Sequence, residues 1–287
     1  MSHVITDFRR RLAVLSSALA ATLALGVAVA AAHDAESRYV YVPNRASADV
    51  AVIDSATDQV VARVPVGKVP HQVAVSPSLD KLVASNTADN TISIVDLQSL
   101  ETTATLQLGH EPEHMQLSPG GELLAVGNIG AGTVSLVSLA EGREVARVEG
   151  LYEPHNLTFS PDGTLLYVAN LGAGHVSVID VAAARVVNEI PVADQPRLAA
   201  AGTAAPETYQ GLINVTATAD GRLGFAAHGE TGKLAVIDLV TQRKVKELAL
   251  GKLPWRAFAS ADGRYMLVPN NGDRSVSVIS TESLEVV

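Results

Sequence analysis

Apolar and polar residues alternate in short runs along most of this chain. A period of two is typical of half-buried β-strands, and four such runs lie between Pro154 and Ala193. Ser160-Pro161-Asp162-Gly163 separates the first two runs, and proline and glycine there favour a tight turn. The pattern predicts an antiparallel meander with strands at His155–Ser160, Leu165–Asn170, His175–Val181 and Val186–Val192.

The meander recurs with a spacing of 42 residues. Two series of anchor residues show the period: an asparagine that closes the second strand, and a proline before the first. The asparagines are Asn44, Asn86, Asn128 and Asn170, and the prolines are Pro70, Pro112, Pro154 and Pro196. The asparagine series continues at His228 and Asn270, so one repeat carries an insertion at about residues 198–211. Four strands per repeat, without helical segments, are typical of a β-propeller.

Six repeats are visible between residues 39 and 287. The first lacks an inner strand, and the last stops within its outer strand. We therefore predict an all-β propeller of four-stranded antiparallel blades, as one domain over residues 33–287. The ring would have six or seven blades, and the chain would be truncated at its C-terminus or the ring would close imperfectly.

The first 32 residues have a different character. Arg9-Arg10-Arg11 precede an apolar run that is rich in Ala and Leu, and small residues end it at Ala32. This order is typical of a secretory signal peptide, and an uncleaved membrane anchor is the alternative. The prediction is a protein exported to a bacterial periplasm or secreted.

Composition and charge narrow the classes of function. The chain has no cysteine, which excludes disulfides, thiolate metal sites and covalent haem attachment. A formal net charge of −9 without a basic patch argues against nucleic acid, or a membrane surface beyond the signal peptide, as a partner. The common hydrolase, metalloprotease and phosphate-loop motifs are absent, so the sequence favours a protein that is not an enzyme.

The two segments LLYVANLGAGHVSVIDVAAARVVNEIPV and SRYVYVPNRASADVAVIDSATDQVVARVPVG resemble YVTN-type propeller repeats. The resemblance covers residues 39–287. That family is similar to the haem-d1-binding propeller of dissimilatory nitrite reductase, which implies a redox or haem-like tetrapyrrole role. In that case His71, His155, Arg197 and Arg256 would contact the tetrapyrrole. One propeller fold hosts many unrelated activities, so the resemblance implies fold more strongly than function.

The recurring anchors are interpreted as structural. Asparagine at a strand end tolerates a left-handed backbone and can bond its own turn. The aspartates that close third strands can accept hydrogen bonds from loop N–H groups. They are Asp54, Asp96, Asp180 and Asp238.

Residues that depart from the repeat are the candidates for function. The two positions after the repeat proline start the inner strand, at the mouth of the propeller channel. They share one face with the loops between second and third strands, and six histidines lie on this His-rich face or at its edge. The predicted ligand-binding residues are His71, Glu113, His114, His155, Arg197, His228, Trp255 and Arg256. The alternative is that these histidines are inherited rim residues with a structural or solvating role.

Strand geometry favours an organic ligand over a metal ion on this face. Successive residues of a strand point to opposite sides, so His114 is expected to point differently from His71 and His155. Arginine could pair with the carboxylates of a planar ligand, and Trp255 could stack on it. The leading prediction is a non-catalytic propeller that binds a protein or a small molecule. A separate copper site would form at His33 if cleavage made it the N-terminus.

Overall fold

The computed structural model describes residues 38–194 and 211–287. The predicted signal peptide, His33, Arg197 and nearly all of the predicted insertion lie outside these residues. The described residues divide into two compact units, residues 38–42 with 51–63 and residues 43–50 with 64–194 and 211–287. Within the described ranges, none of the helices has the length and apolar character needed to cross a membrane.

The described residues form 22 strands in six antiparallel sheets, joined in chain order. The first sheet is β1 (Tyr39–Asn44), β2 (Asp49–Asp54) and β3 (Gln59–Pro65), and the second is β4 (Pro70–Ser76), β5 (Lys81–Asn86), β6 (Thr91–Asp96) and β7 (Thr102–Gln107). The third is β8 (Pro112–Leu117), β9 (Leu123–Asn128), β10 (Thr133–Ser138) and β11 (Arg143–Val148), and the fourth is β12 (Pro154–Phe159), β13 (Leu165–Asn170), β14 (His175–Asp180) and β15 (Arg185–Pro191). The fifth is β16 (Leu212–Ala217), β17 (Leu223–His228), β18 (Lys233–Asp238) and β19 (Arg243–Ala249), and the sixth is β20 (Phe258–Ala259), β21 (Tyr265–Asn270) and β22 (Ser275–Ser280). Two single 3₁₀ turns occur, at Pro77–Leu79 and Thr87–Asp89.

These sheets confirm the predicted all-β propeller and its repeat. The four central sheets have four strands each, and among the described residues the first sheet has three, β1 to β3. The outer strand of the sixth sheet is reduced to one bridge between Ile279 and Val286. Leu212 pairs with His228 as Pro154 pairs with Asn170, so Leu212 holds the place expected for Pro196. Blade number and ring closure stay predictions.

Apolar strand faces pack between successive sheets of the second unit. Between the fourth and fifth sheets, Val176 and Val178 of β14 share a cluster with Val215 of β16 and Ala226 of β17. All four side chains are fully buried. Burial of each Val or larger aliphatic side chain contributes about 1.5–3 kcal/mol, so this packing holds the inner strands at fixed separations.

The repeated asparagines bond the neighbouring strand rather than their own turn. Asn86 is buried, its φ is −112°, and its Nδ2 donates to Ser93 Oγ at 2.9 Å. The expected left-handed backbone is therefore wrong at Asn86. The same bond, also at 2.9 Å, joins Asn128 to Ser135, Asn170 to Ser177 and Asn270 to Ser277. Each pair fixes the second strand of a repeat to its third strand.

The aspartate anchors act as predicted. Asp96 accepts backbone N–H bonds from Gln98 and Ser99, at 3.0 and 2.8 Å. These bonds stabilise the carboxylate and lower the pKa of Asp96. Asp54, Asp180 and Asp238 accept equivalent bonds from Ala56, Ala183 and Thr241.

Candidate ligand-binding site

A β-bulge lies at the start of each inner strand from the second to the fifth sheet. On β4, Pro70 is opposite Asn86 but Val73 is opposite Ala84, so one extra residue is inserted between them. The same shift follows Pro112, Pro154 and Leu212. A bulge breaks the alternation of side chains along a strand. It can therefore bring residues from either position after the proline onto the same side.

Three imidazoles lie in a row across neighbouring inner strands. The ring of His114 on β8 lies 5.0 Å from that of His71 on β4 and 4.2 Å from that of His155 on β12, measured between centroids. The two Nε2 atoms of His114 and His155 are 3.3 Å apart. The expectation that His114 points away from the other two is therefore wrong, because the bulge brings all three rings together.

The hydrogen bonds of the row define its orientation. His155 Nδ1 is 2.8 Å from the carbonyl oxygen of Ile213, which can only accept, so this nitrogen is the protonated one. The lone pair of His155 Nε2 therefore faces His114. Nδ1 of His114 is buried and has no hydrogen-bond partner among the described residues.

The histidines of the row are held neutral. Burial is the main cause, and it lowers the pKa of His114 to about 2 and that of His155 to about 4. The pKa of His71 is also lowered, first by burial and then by the charge of Arg45. Neutral imidazoles offer lone pairs to a ligand, and each also offers one N–H donor.

Glu113 and Arg45 lie at the His71 end of the row. Glu113 Oε1 is 3.7 Å from His71 Nδ1, and Arg45 Nη1 is 3.2 Å from the same nitrogen. Burial raises the pKa of Glu113, and the charge of Arg45 partly opposes this shift. This end thus combines one half-buried carboxyl group with an exposed guanidinium.

Trp255 and Arg256 lie at the His155 end. The ring of Trp255 is edge-on to His155 at 6.3 Å, and 37% of the residue is exposed. The guanidinium carbon of Arg256 lies 5.5 Å from the ring centroid of Phe258, and Nε is buried without a partner. The positive charge of Arg256 contributes to the lowered pKa of both His114 and His155. The guanidinium therefore lies close to the row.

The structure does not bring His228 into this cluster. His228 occupies an asparagine anchor position, is buried, and its Nδ1 lies 3.2 Å from Thr231 Oγ1. It lines a separate cavity of about 400 Å³ with residues that include Lys233, Lys244 and Glu247. The row of histidines does not contribute to that lining. The prediction of His228 as part of one shared site is corrected, because an anchor side chain points into its own sheet.

Two residues of the site were missed by sequence reasoning. Arg45 lies in the loop between β1 and β2, and that loop was already assigned to the His-rich face. Gln72 joins β4 to β8, since its side chain accepts from Met115 N at 2.8 Å and donates to Met115 O at 3.0 Å. The loop position and charge of Arg45 are visible in the sequence. Gln72 holds the second position after Pro70, equivalent to His114 and Arg256, but the sequence does not show that it bonds the backbone of Met115.

The His228 anchor gives a testable pH dependence. The other buried anchors face a serine seven residues later, but residue 235 is alanine. Burial lowers the pKa of His228, whereas the unfolded chain takes up the proton near pH 6.5. The stability of the fold with neutral His228 is therefore fully present above pH 6.5. It is lost as the pH falls from 6.5 through the lower pKa of His228 in the folded state.

The double variant His228→Asn with Ala235→Ser restores the common anchor pair and removes this titration. We expect its free energy of unfolding to fall less between pH 7 and pH 5 than that of the wild type, as measured by urea denaturation. Ala235→Ser alone keeps His228 and should keep the wild-type slope. Equal slopes for the double variant and the wild type would show that His228 does not titrate on unfolding.

Comparisons with known proteins agree with the fold. A family model described as YNCE-like beta-propeller matches residues 74–286. Among solved structures, the chain is similar to Kuenenia stuttgartiensis hydrazine synthase, with 18% identity and a TM-score of 0.54 over 85% of this chain and 92% of that one. Likeness at this identity shows the fold alone. A search of curated proteins finds no match.

Proposed function

This chain belongs to the YNCE-like β-propeller family, and we propose that it uses this fold as a non-catalytic binding protein for a small organic anion. The ligand binds at the His-rich face, beside Arg256 and Trp255. On the strength of the N-terminal 32 residues, we also propose that the protein is exported and meets this ligand in the periplasm or outside the cell.

The observation that carries the proposal is the state of Arg256. Its Nε is buried without a hydrogen-bond partner, and no ion pair of this residue occurs within residues 38–194 and 211–287. Burial lowers the pKa of Arg256, and no acidic group acts against that shift. A partly buried cation without a counter-ion is costly, and a carboxylate can satisfy a guanidinium through two parallel bonds.

The surroundings of Arg256 favour a flat anion. Trp255 exposes part of its indole ring next to His155, and aromatic rings stack on one another or meet edge to face. Arg45 adds a second cation at the far end of the row, where Glu113 and the nearby charge of Glu111 act against it. The cation without an acidic partner among the described residues is therefore Arg256, within an acidic protein.

A haem-like tetrapyrrole, the alternative that the family resemblance implies, is less well supported. The rings of His114 and His155 are in contact at a centroid distance of 4.2 Å, so a macrocycle cannot lie between them. A small anion needs no such slot. The copper site at His33 lies outside the described residues and stays a prediction.

Calorimetric titration with benzoate as the probe tests the proposal. Arg256→Gln should weaken benzoate binding at least tenfold, or about 1.4 kcal/mol, because the paired cation is lost. Arg264→Gln is a matched control, since Arg264 also lies 5.5 Å from an aromatic ring centroid but is on the opposite face. Benzamide, which has the same shape without the charge, should not bind. Equal affinity of wild type and Arg256→Gln for benzoate would overturn the proposal.

A further inference from the structure

We infer that the His-rich face also holds a first-row transition-metal ion, bound by His71, Glu113 and His114. His155, whose Nε2 lies 3.3 Å from that of His114, becomes a fourth ligand only by moving closer to the other two. His71 and Glu113 lie at the end of the row away from Trp255, and metal binding does not depend on the proposed anion.

The distances bring these ligands close to the spacing of a metal site. One ligand atom from each of His71, Glu113 and His114 can be chosen so that all three lie within 4.8 Å of one another. Ligand atoms about 2.1 Å from one ion can be at most about 4.2 Å apart. His71 Nδ1 and Glu113 Oε1, at 3.7 Å, already meet this limit. Side-chain movement of a fraction of an ångström closes the set.

His155 has the features of an oriented ligand. Two nitrogens bound to one tetrahedral ion are about 3.4 Å apart, and the Nε2 atoms of His114 and His155 are separated by 3.3 Å. The other nitrogen of His155 donates to the Ile213 carbonyl, the usual support of a metal-bound imidazole. The contact between the Nε2 atoms of His114 and His155 is one that a metal ion would replace, and Nδ1 of His114 is buried without a hydrogen-bond partner among the described residues.

The donor set selects the class of metal. Imidazole nitrogens with one carboxylate suit Zn²⁺, Cu²⁺ and Ni²⁺, whereas Ca²⁺ and Mg²⁺ prefer oxygen ligands. The chain has no cysteine, so thiolate ligation does not arise. The expected occupant is therefore Zn²⁺, Cu²⁺ or Ni²⁺.

The positive charge of Arg45 opposes metal binding at this site. Its Nη1 lies 3.2 Å from His71 Nδ1, where it competes for the lone pair and repels a cation. Arg45 is exposed, so it can turn into solvent when an ion binds. Removal of this charge should strengthen metal binding, whereas a merely structural row would show no such effect.

The test is a calorimetric titration of the EDTA-treated full chain with Zn²⁺. The wild type should bind one equivalent. His114→Gln and His71→Gln should each weaken binding at least tenfold, and Arg45→Gln should strengthen it severalfold with all ligands in place. Circular dichroism melting confirms that each variant is folded, and Arg45→Gln keeps the test decisive if the histidine variants unfold.

His110→Gln is the matched control. His110 Nδ1 also lies 3.7 Å from a glutamate oxygen, that of Glu111, but no other described imidazole stacks on it. This variant should bind Zn²⁺ as the wild type does. Absence of stoichiometric binding by the wild type, or an equal loss in His110→Gln and His114→Gln, would overturn the inference. Arg256→Gln should lose benzoate but bind Zn²⁺ at least as tightly as the wild type, because the charge that it removes also acts on His114 and His155, so the two proposals fail separately.

Discussion

Replacement of Gly127 by alanine is expected to lower the free energy of unfolding by about 3 kcal/mol. The added methyl group would lie 2.5 Å from the carbonyl oxygen of Pro154. That oxygen belongs to the backbone at the start of β12, so it cannot turn aside as a flexible side chain would. The inner strand that carries His155 must shift, and packing between the third and fourth sheets is lost.

The control for this prediction is Gly120→Ala. Nothing lies within 4 Å of a methyl group at that position, and its backbone is not left-handed. The change in stability should stay within about 0.5 kcal/mol. Urea denaturation of both variants measures the difference. If Gly127→Ala is as stable as Gly120→Ala, the close approach of β9 to β12 is not present in solution.

Asn170→Leu should lower the free energy of unfolding by about 3 kcal/mol. Asn170 is fully buried, and its Nδ2 donates to Ser177 Oγ at 2.9 Å and to the His175 carbonyl at 3.2 Å. Its Oδ1 accepts from the backbone N–H of Tyr152 at 3.1 Å. Leucine has a similar volume but makes none of these bonds, and each buried bond contributes about 1 kcal/mol.

Asn188→Leu is the comparison within the same sheet. Asn188 is exposed on β15, where its Nδ2 donates to Gln242 at 2.8 Å. Exposed substitutions of this kind change stability by about 0.5 kcal/mol or less. Thermal and urea unfolding of both variants compare the stability lost at the buried anchor with that lost at the exposed asparagine. An Asn170→Leu protein no less stable than Asn188→Leu would show that the anchor bonds contribute nothing.

The scaffold could be predicted from the sequence because its signals are local and repeated. Alternation placed the four strands around Asn170 within about a residue of their observed ends, and the 42-residue spacing then located the others. The aspartate anchors were also predicted correctly, because a carboxylate next to a turn has few partners other than loop N–H groups. The asparagines were assigned the wrong partner, since Ser177 is seven residues away and meets Asn170 only across a hairpin.

The candidate site was predictable only in part. The residues after each proline were identified, but a bulge is invisible in a pattern of alternation, so the meeting of His71, His114 and His155 was missed. His228 was included because it lies at the edge of the His-rich face. Its burial follows from its place in the sheet, which the anchor series alone could have indicated. Arg197 was predicted as well, and it lies outside the described residues.

Crystals of the full protein soaked with 4-bromobenzoate give the most direct test of the central claim, that an organic anion binds beside Arg256. Anomalous scattering from bromine locates the ligand without prior assumptions. One strong anomalous peak is expected, with the carboxylate on the guanidinium of Arg256 and the ring against Trp255. A well-occupied peak elsewhere, or no peak at a saturating concentration, would contradict it.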